Sequence, residues 1–168
     1  MNKAALAIAI GISAISTPSY AFNQWNVNGT SCVPDAGAIQ NNLYIGTGGT
    51  VKFASGKTGD IVLYCPVSAN LGFTPRLVGL TYYDDTSALG NHVTVQLIKM
   101  DMSTGGITSI VTVDSNNGAV SANGKASLIG HTFQDAFDTK NFAYYLRVAV
   151  IRNSRNANET VYGVALQD

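Results

Sequence analysis

The fold of this chain is decided by Ile61-Val62-Leu63-Tyr64-Cys65-Pro66-Val67 together with the earlier segment Ser31-Cys32-Val33-Pro34-Asp35. Cys32 and Cys65 are the only two cysteines among the 168 residues. The run from 61 to 67 is apolar at successive positions, which predicts a strand covered on both faces. A bond between the two cysteines would tie the start of the domain to its first strongly buried strand.

The first 21 residues have the pattern of an export signal. Lys3 forms a short basic region, residues 4–15 are apolar, and small residues stand at Ser19 and Ala21 before the expected cleavage point. A bilayer core takes about 20 apolar residues, so we favour a cleaved signal peptide at 1–21 over a retained signal anchor. No other apolar run is long enough to span a membrane after cleavage.

Export places the protein in the periplasm, in the extracellular space or on the cell surface, which are oxidising locations. An even number of cysteines there favours a disulfide over a metal site or a reactive thiol. The sequence therefore predicts a Cys32–Cys65 bridge.

The remaining residues, 22–168, have the size of a single domain with one core. Acidic and basic residues balance at 10 each, and charged residues make up only 12% of the chain. Binding of nucleic acid needs a basic face that releases phosphate counterions, and the sequence has no such cluster. Abundant Gly, Ser, Thr and Asn are typical of extracellular β-proteins and of surfaces that associate with copies of themselves.

Short alternating runs separated by turn residues predict an all-β domain of seven to nine strands. Residues 92–100 and 107–113 predict a hairpin, residues 119–129 are a less regular candidate, and residues 134–137 favour a short helical turn. The other predicted strands are 50–54, 61–67, 76–83, 142–151 and 159–166. Even spacing in an exported chain favours an antiparallel two-sheet β-sandwich, Ig-like or jelly-roll-like, over a closed barrel.

The sequence offers no convincing catalytic constellation and implies no cofactor. His92 and His131 lack the spacing of a zinc site. His131 with Asp135 or Asp138 would supply the base and acid of a hydrolase, but no Gly-x-Ser-x-Gly segment exposes a nucleophile. We therefore interpret the protein as a non-enzyme.

Several residues remain as binding candidates. Asp84 and Asp85 offer the hard oxygen ligands that calcium prefers, although no EF-hand spacing accompanies them. The alternation of strand side chains points one ring of each tyrosine pair inward and the other outward. The outward rings would stack on sugar faces, with His131 as a further candidate. The pairs are Tyr82-Tyr83 and Tyr144-Tyr145.

Two segments match the glycosylation sequon, Asn28-Gly29-Thr30 and Asn158-Glu159-Thr160. Such tripeptides are frequent in a chain rich in Asn and Thr. We interpret both as turn chemistry.

A set of short motifs carries a resemblance over most of the mature chain: Cys32-Val33-Pro34, Tyr64-Cys65-Pro66, Tyr82-Tyr83-Asp84, His131-Thr132-Phe133 and Tyr144-Tyr145-Leu146-Arg147-Val148. In these the sequence resembles small exported bacterial one-disulfide β-sandwich proteins of unknown function, and this resemblance implies a fold but no activity. The early disulfide, the low charge and Tyr162 near the end are similar to fimbrial pilin subunits. Residues 22–31 depart from the pilin pattern, because they lack its long alternating donor strand.

Three classes of function follow from the sequence. The first is an exported structural or assembly subunit, such as a pilin-like one, that associates with itself or another protein. The second is an extracellular module that binds a glycan or a protein. The third, an enzyme, is the least supported because its catalytic groups are missing.

Overall fold

The computed structural model describes residues 23–41, 44–68, 70–85, 90–119, 121 and 126–168. The predicted signal peptide, residues 1–21, lies outside the described residues. The described part contains eleven strands and one five-residue helix, α1 (Ala36–Gln40). The strands are β1 (Gln24–Asn28), β2 (Val33–Pro34), β3 (Tyr44–Thr47), β4 (Thr50–Phe53), β5 (Gly59–Pro66), β6 (Leu77–Asp84), β7 (Asn91–Asp101), β8 (Ile107–Asp114), β9 (Ser127–Thr132), β10 (Phe142–Arg152) and β11 (Glu159–Gln167).

The strands form two antiparallel sheets, which confirms the predicted all-β sandwich. The six-stranded sheet has the order β3-β4-β11-β6-β9, with β1 also paired to β11. The five-stranded sheet has the order β2-β5-β10-β7-β8. If β4 to β11 are numbered 1 to 8, the sheets read 1-8-3-6 and 2-7-4-5. This order is that of a jelly roll, which decides between the two sandwich types that the sequence left open.

The predicted number of seven to nine strands is too low. Three of the eleven strands, β1, β2 and β3, have only five, two and four residues. Only β2 is too short for an alternating pattern; β1 alternates from Gln24 to Asn28, and this signal was overlooked. Such strands exist because a longer neighbour provides their hydrogen-bond partners, and that neighbour is known only from the fold.

The disulfide joins Cys32 to Cys65, as predicted. The prediction that residues 61–67 are covered on both faces is wrong. Ile61, Leu63 and Cys65 are fully buried or nearly so, whereas Tyr64 between them is 39% exposed. An antiparallel sandwich covers only the inner face of each sheet, so β5 keeps one open face.

The core lies between the two sheets and follows the period of two. Side chains at alternate positions of β7 and β10 are buried, including Val93, Val95, Leu97, Leu146 and Val148. The expected hairpin of β7 and β8 is present, with a register shift at Leu97/Ile98. Burial of this one continuous apolar layer stabilises the domain.

Three local features differ from the sequence-based expectations. Residues 133–138 form neither a helix nor a strand, so the helical turn predicted at 134–137 is absent. The helix α1 was not predicted, although Asp35 provides its N-cap by accepting a hydrogen bond from the Ala38 N–H at 3.0 Å. The strand expected within 119–129 begins only at Ser127, and part of that range lies outside the described residues.

The Asn28 side chain caps its own turn, whereas the Asn158 side chain binds a residue distant in sequence. The Asn28 side chain accepts a hydrogen bond from the Ser31 N–H at 3.0 Å. The Asn158 side chain donates to Asp85 at 2.7 Å. Among the described residues, no helix is long and apolar enough to cross a membrane.

Candidate functional site

The two tyrosine pairs divide between the inside and the outside of the sandwich, as alternation predicts. Tyr82 and Tyr144 point inward and are 0% and 6% exposed. The Tyr82 hydroxyl donates to the Ala119 carbonyl at 2.8 Å, and burial, with the Asp84 charge second, raises the pKa of Tyr82. These inward rings have structural roles, so the binding candidates that remain are Tyr83 and Tyr145.

Tyr145 lies on the outer face of the five-stranded sheet, where it meets a second ring. Its centroid is 5.9 Å from that of Tyr64, and the two rings meet edge to face at 62°. This arrangement is favoured by the quadrupoles of aromatic rings. Both rings are partly open to solvent, so the pair presents an aromatic surface outside the core.

A row of outward side chains crosses all five strands beside this pair. The strand registers align Val33 with Tyr64, Tyr64 with Arg147, Arg147 with Gln96, and Gln96 with Thr112. Neighbouring strands are about 4.8 Å apart, so four intervals span about 19 Å. We call these five side chains together with Tyr145 the tyrosine platform.

The polar half of the tyrosine platform is held by hydrogen bonds. Arg147 Nη1 donates to Gln96 Oε1 at 3.1 Å, and Gln96 Nε2 donates to Thr112 Oγ1 at 3.4 Å. The partner of Arg147 is an amide and not a carboxylate. Among the described residues no carboxylate pairs with the guanidinium, and its remaining N–H groups lie beside the aromatic pair.

Sequence reasoning missed Tyr64 as a binding candidate. It stands between the buried residues Leu63 and Cys65, and the apolar run around it favoured burial on both faces. The signal was present in the alternation itself, because a tyrosine between two inward residues of an antiparallel strand points outward. Its proximity to Tyr145 depends on the pairing of β5 with β10, which alternation does not predict.

The histidine and the acids of the hypothetical hydrolase are not assembled. His131 Nδ1 lies 3.0 Å from the Thr112 carbonyl. Asp135 forms an ion pair with Lys99 at 3.3 Å, and Asp138 accepts hydrogen bonds from the N–H groups of Lys140 and Asn141. Each group thus has another partner.

His92 and the calcium candidates, Asp84 and Asp85, are not part of the tyrosine platform. The buried Nδ1 of His92 has no hydrogen-bond partner among the described residues. Asp84 is buried and accepts from the Ser115 hydroxyl at 2.7 Å, whereas Asp85 accepts from Asn158 at the surface. In the described ranges, no three His, Cys, Asp or Glu side chains are grouped so as to hold a metal ion.

A buried charged cluster, which the sequence did not predict, lies at the end of the sandwich where β6 ends and β11 begins. Glu159, the only glutamate of the sequence, pairs in register with Asp84, and its side chain is fully buried. Arg152 Nε is 4.0 Å from Glu159 Oε2, which is too long for a hydrogen bond. Arg152 also donates to the backbone carbonyls of Ser154 and Arg155.

The environment of Glu159 disfavours its charged form. Neither carboxylate oxygen has a hydrogen-bond partner among the described residues. Burial, with the charge of Asp84 second, raises the pKa of Glu159 to about 7, and Arg152 offsets only part of this rise. Desolvation therefore outweighs the nearby cation.

Comparisons with known proteins leave the chain without an assigned family. No family model matches the sequence, and no curated protein matches it.

Solved structures show distant likenesses. The Agl-KA catalytic domain aligns at 10% identity with a TM-score of 0.44, over 86% of this chain and 27% of that one. A CBM29-2 mutant, from family 29 of the carbohydrate binding modules, aligns at 9% identity with a TM-score of 0.35, over 87% and 75%. The K2 cleaved adhesin domain of Lys-gingipain aligns at 15% identity with a TM-score of 0.39, over 86% and 89%.

The chain thus spans about a quarter of the length of the first of these structures. At these identities and TM-scores, the likenesses do not indicate a ligand or an activity for this chain. The candidate site of this protein is therefore defined by its own geometry, and it is the tyrosine platform.

Proposed function

We propose that this protein is an exported, non-catalytic carbohydrate-binding module that binds a glycan chain along the tyrosine platform. The observation that carries the proposal is the placement of two partly exposed tyrosine rings beside a hydrogen-bonded guanidinium on one sheet face. The Cys32–Cys65 disulfide and the export pattern of residues 1–21 support a periplasmic, extracellular or cell-surface location.

The chemistry of the platform matches the two sides of a sugar ring. A pyranose has an apolar C–H face and a rim of hydroxyl groups. Tyr64 and Tyr145 supply apolar area with few rotatable bonds, so little side-chain entropy is lost on contact. Arg147 supplies N–H donors and Thr112 a hydroxyl, and both bind sugar hydroxyls well.

The shape of the platform favours a chain of sugars over a single one. The aligned row is about 19 Å long and lies on a sheet face, so several sugar residues fit side by side. Arg147 is the only charged side chain in the row, and its N–H groups can donate to the hydroxyl groups or to a carboxylate of the sugar chain. Hydrogen bonds already fix the side chains of Arg147 and Gln96. Glycan binding therefore loses less side-chain conformational entropy at these two residues.

Removing both rings tests this function. The double variant Tyr64→Ala/Tyr145→Ala is expected to weaken glycan binding by at least about tenfold, because each ring contributes roughly 1 kcal/mol of contact. Glycan arrays and affinity electrophoresis in soluble polysaccharides identify the ligand, and calorimetry then measures its Kd for the wild type and the variant.

The matched control is Tyr83→Ala/Tyr162→Ala, which removes two partly buried tyrosines that point outward from the six-stranded sheet. This control should keep wild-type affinity. Equal losses in both double variants would contradict the proposal. If the wild type binds no glycan and instead elutes as polymers in size-exclusion chromatography, the assembly-subunit hypothesis replaces it.

A further inference from the structure

A cleft lies at one end of the sandwich, between the loop of residues 70–76 and the loop of residues 133–139. One cavity of about 360 Å³ is lined by Thr74, Arg76, Gln134, Asp135 and Ala136. A second cavity of about 250 Å³ shares Thr74 and Ala136 with the first and continues to Phe73 and Phe137. The two cavities therefore form one cleft with a polar and a partly aromatic lobe.

Ring stacking and hydrogen bonds hold the two loops that line the cleft. The Phe137 ring stacks on Tyr144 at 4.0 Å and 15°, and the Tyr144 hydroxyl accepts a hydrogen bond from the Asp138 N–H at 2.9 Å. The backbone of Arg76 donates to the Gln167 carbonyl at 2.7 Å and accepts from the Phe133 N–H at 2.8 Å. These contacts fix the backbone of both loops and the Phe137 ring, whereas the side chains of Thr74, Arg76 and Gln134 are exposed.

The charges of the polar lobe favour an anion. Both oxygens of Asp135 bind the Lys99 ammonium, at 3.3 and 3.4 Å, so this carboxylate is already neutralised. The guanidinium of Arg76 forms no hydrogen bond or ion pair with any other described residue. Arg76, Asp135 and Lys99 together carry one positive charge. Asp138 in the same loop is also negative, but its carboxylate accepts hydrogen bonds from the N–H groups of Lys140 and Asn141 and from the Asn141 amide. The Arg76 guanidinium has the planar fork that matches a carboxylate.

We propose that this cleft is a second ligand site, which binds an acidic sugar through its carboxylate. Arg76 binds the carboxylate, with the Gln134 amide and the Thr74 hydroxyl as further hydrogen-bonding groups. The sugar ring lies toward Phe137 in the adjoining lobe. This site is separate from the tyrosine platform, and it adds recognition of a uronic acid unit whatever the platform binds.

Titration with an oligogalacturonide, followed by NMR chemical shifts and calorimetry, tests the site. Arg76→Gln is expected to weaken binding by about tenfold or more, since a charge-assisted hydrogen bond becomes a neutral one. The affinity of the wild type should fall as salt increases. The carboxyl-reduced, neutral form of the same oligosaccharide should not bind the cleft.

The matched control is Arg155→Gln, which removes an exposed arginine in the β10–β11 connection. It should leave oligogalacturonide binding unchanged. An equal loss in Arg155→Gln would overturn the proposal, as would the absence of any binding by the wild type. Equal affinity for acetate would overturn the assignment to a sugar.

Discussion

Replacing both cysteines, as Cys32→Ala/Cys65→Ala, is expected to lower the free energy of unfolding by about 3–4 kcal/mol. The bond closes a loop with a sequence separation of 33 residues, and cross-linking a loop of this size removes about that much entropy from the unfolded chain. For a domain of this size, the melting temperature should fall by roughly 10 °C. Differential scanning calorimetry and urea unfolding measure both quantities.

The structure adds a reason for this loss. The strand β2, directly after Cys32, has only two residues paired with β5, and the disulfide holds this short edge strand in place. The control is wild-type protein unfolded with and without a reductant, which breaks the same bond without changing the side chains. An unchanged melting temperature of the double variant would show that the bridge does not stabilise the domain.

The variant Glu159→Gln is expected to be more stable than the wild type at pH 8, by up to about 3 kcal/mol. In the folded protein, burial raises the pKa of Glu159 from 4.5 to about 7. Between these two values the folded state keeps a proton that the unfolded state has lost. The free energy of unfolding contributed by this group therefore decreases as pH rises from about 4.5 to about 7 and stays constant above.

The glutamine side chain resembles the protonated glutamic acid, so the variant should lack this pH dependence. Urea unfolding of the wild type and of Glu159→Gln at pH 5, 6, 7 and 8 measures the difference. Asp101 and Asp138 do not act in this window, because hydrogen bonds lower the pKa of each. Their contribution to stability is lost only at more acidic pH.

Asp60→Asn serves as the matched control, since Asp60 is an exposed carboxylate on β5. It should keep the pH profile of the wild type. A wild-type protein that becomes more stable from pH 5 to pH 8, in parallel with Glu159→Gln, would contradict the assignment. That result would mean that Arg152 stabilises the charged carboxylate more than burial destabilises it.

The long central strands were predictable because their signal is local. Buried and partly exposed side chains alternate from Asn91 to Leu97 in β7 and from Ala143 to Val148 in β10. This period of two can be recognised without knowing which strands lie beside them. Among the edge strands, β2 was not predictable, since two residues have no period, whereas the alternation of β1 is present in the sequence and was overlooked. Their extended shape comes from the neighbouring strand to which they pair.

The candidate site was only partly predictable. Alternation selected Tyr145 as an outward ring, but the other members of the platform come from β2, β5, β7, β8 and a second position of β10. Glu159 was predicted to begin the strand 159–166 and to belong to a sequon interpreted as turn chemistry, and it was not assigned to the inward face. Its burial against Asp84 follows from the pairing of β11 with β6, which joins residues far apart in the sequence.

The sequence by itself determined the all-β class, the inward positions of the central strands and, with only two cysteines, the identity of the disulfide. These properties depend on composition and on the alternation of neighbouring residues. Both are local and can be recognised without knowing the fold. The tertiary structure decided the jelly-roll order, the tyrosine platform, the end cleft and the buried Glu159. Each of these depends on the register between strands distant in sequence, and that register is set when the two sheets bury their shared core.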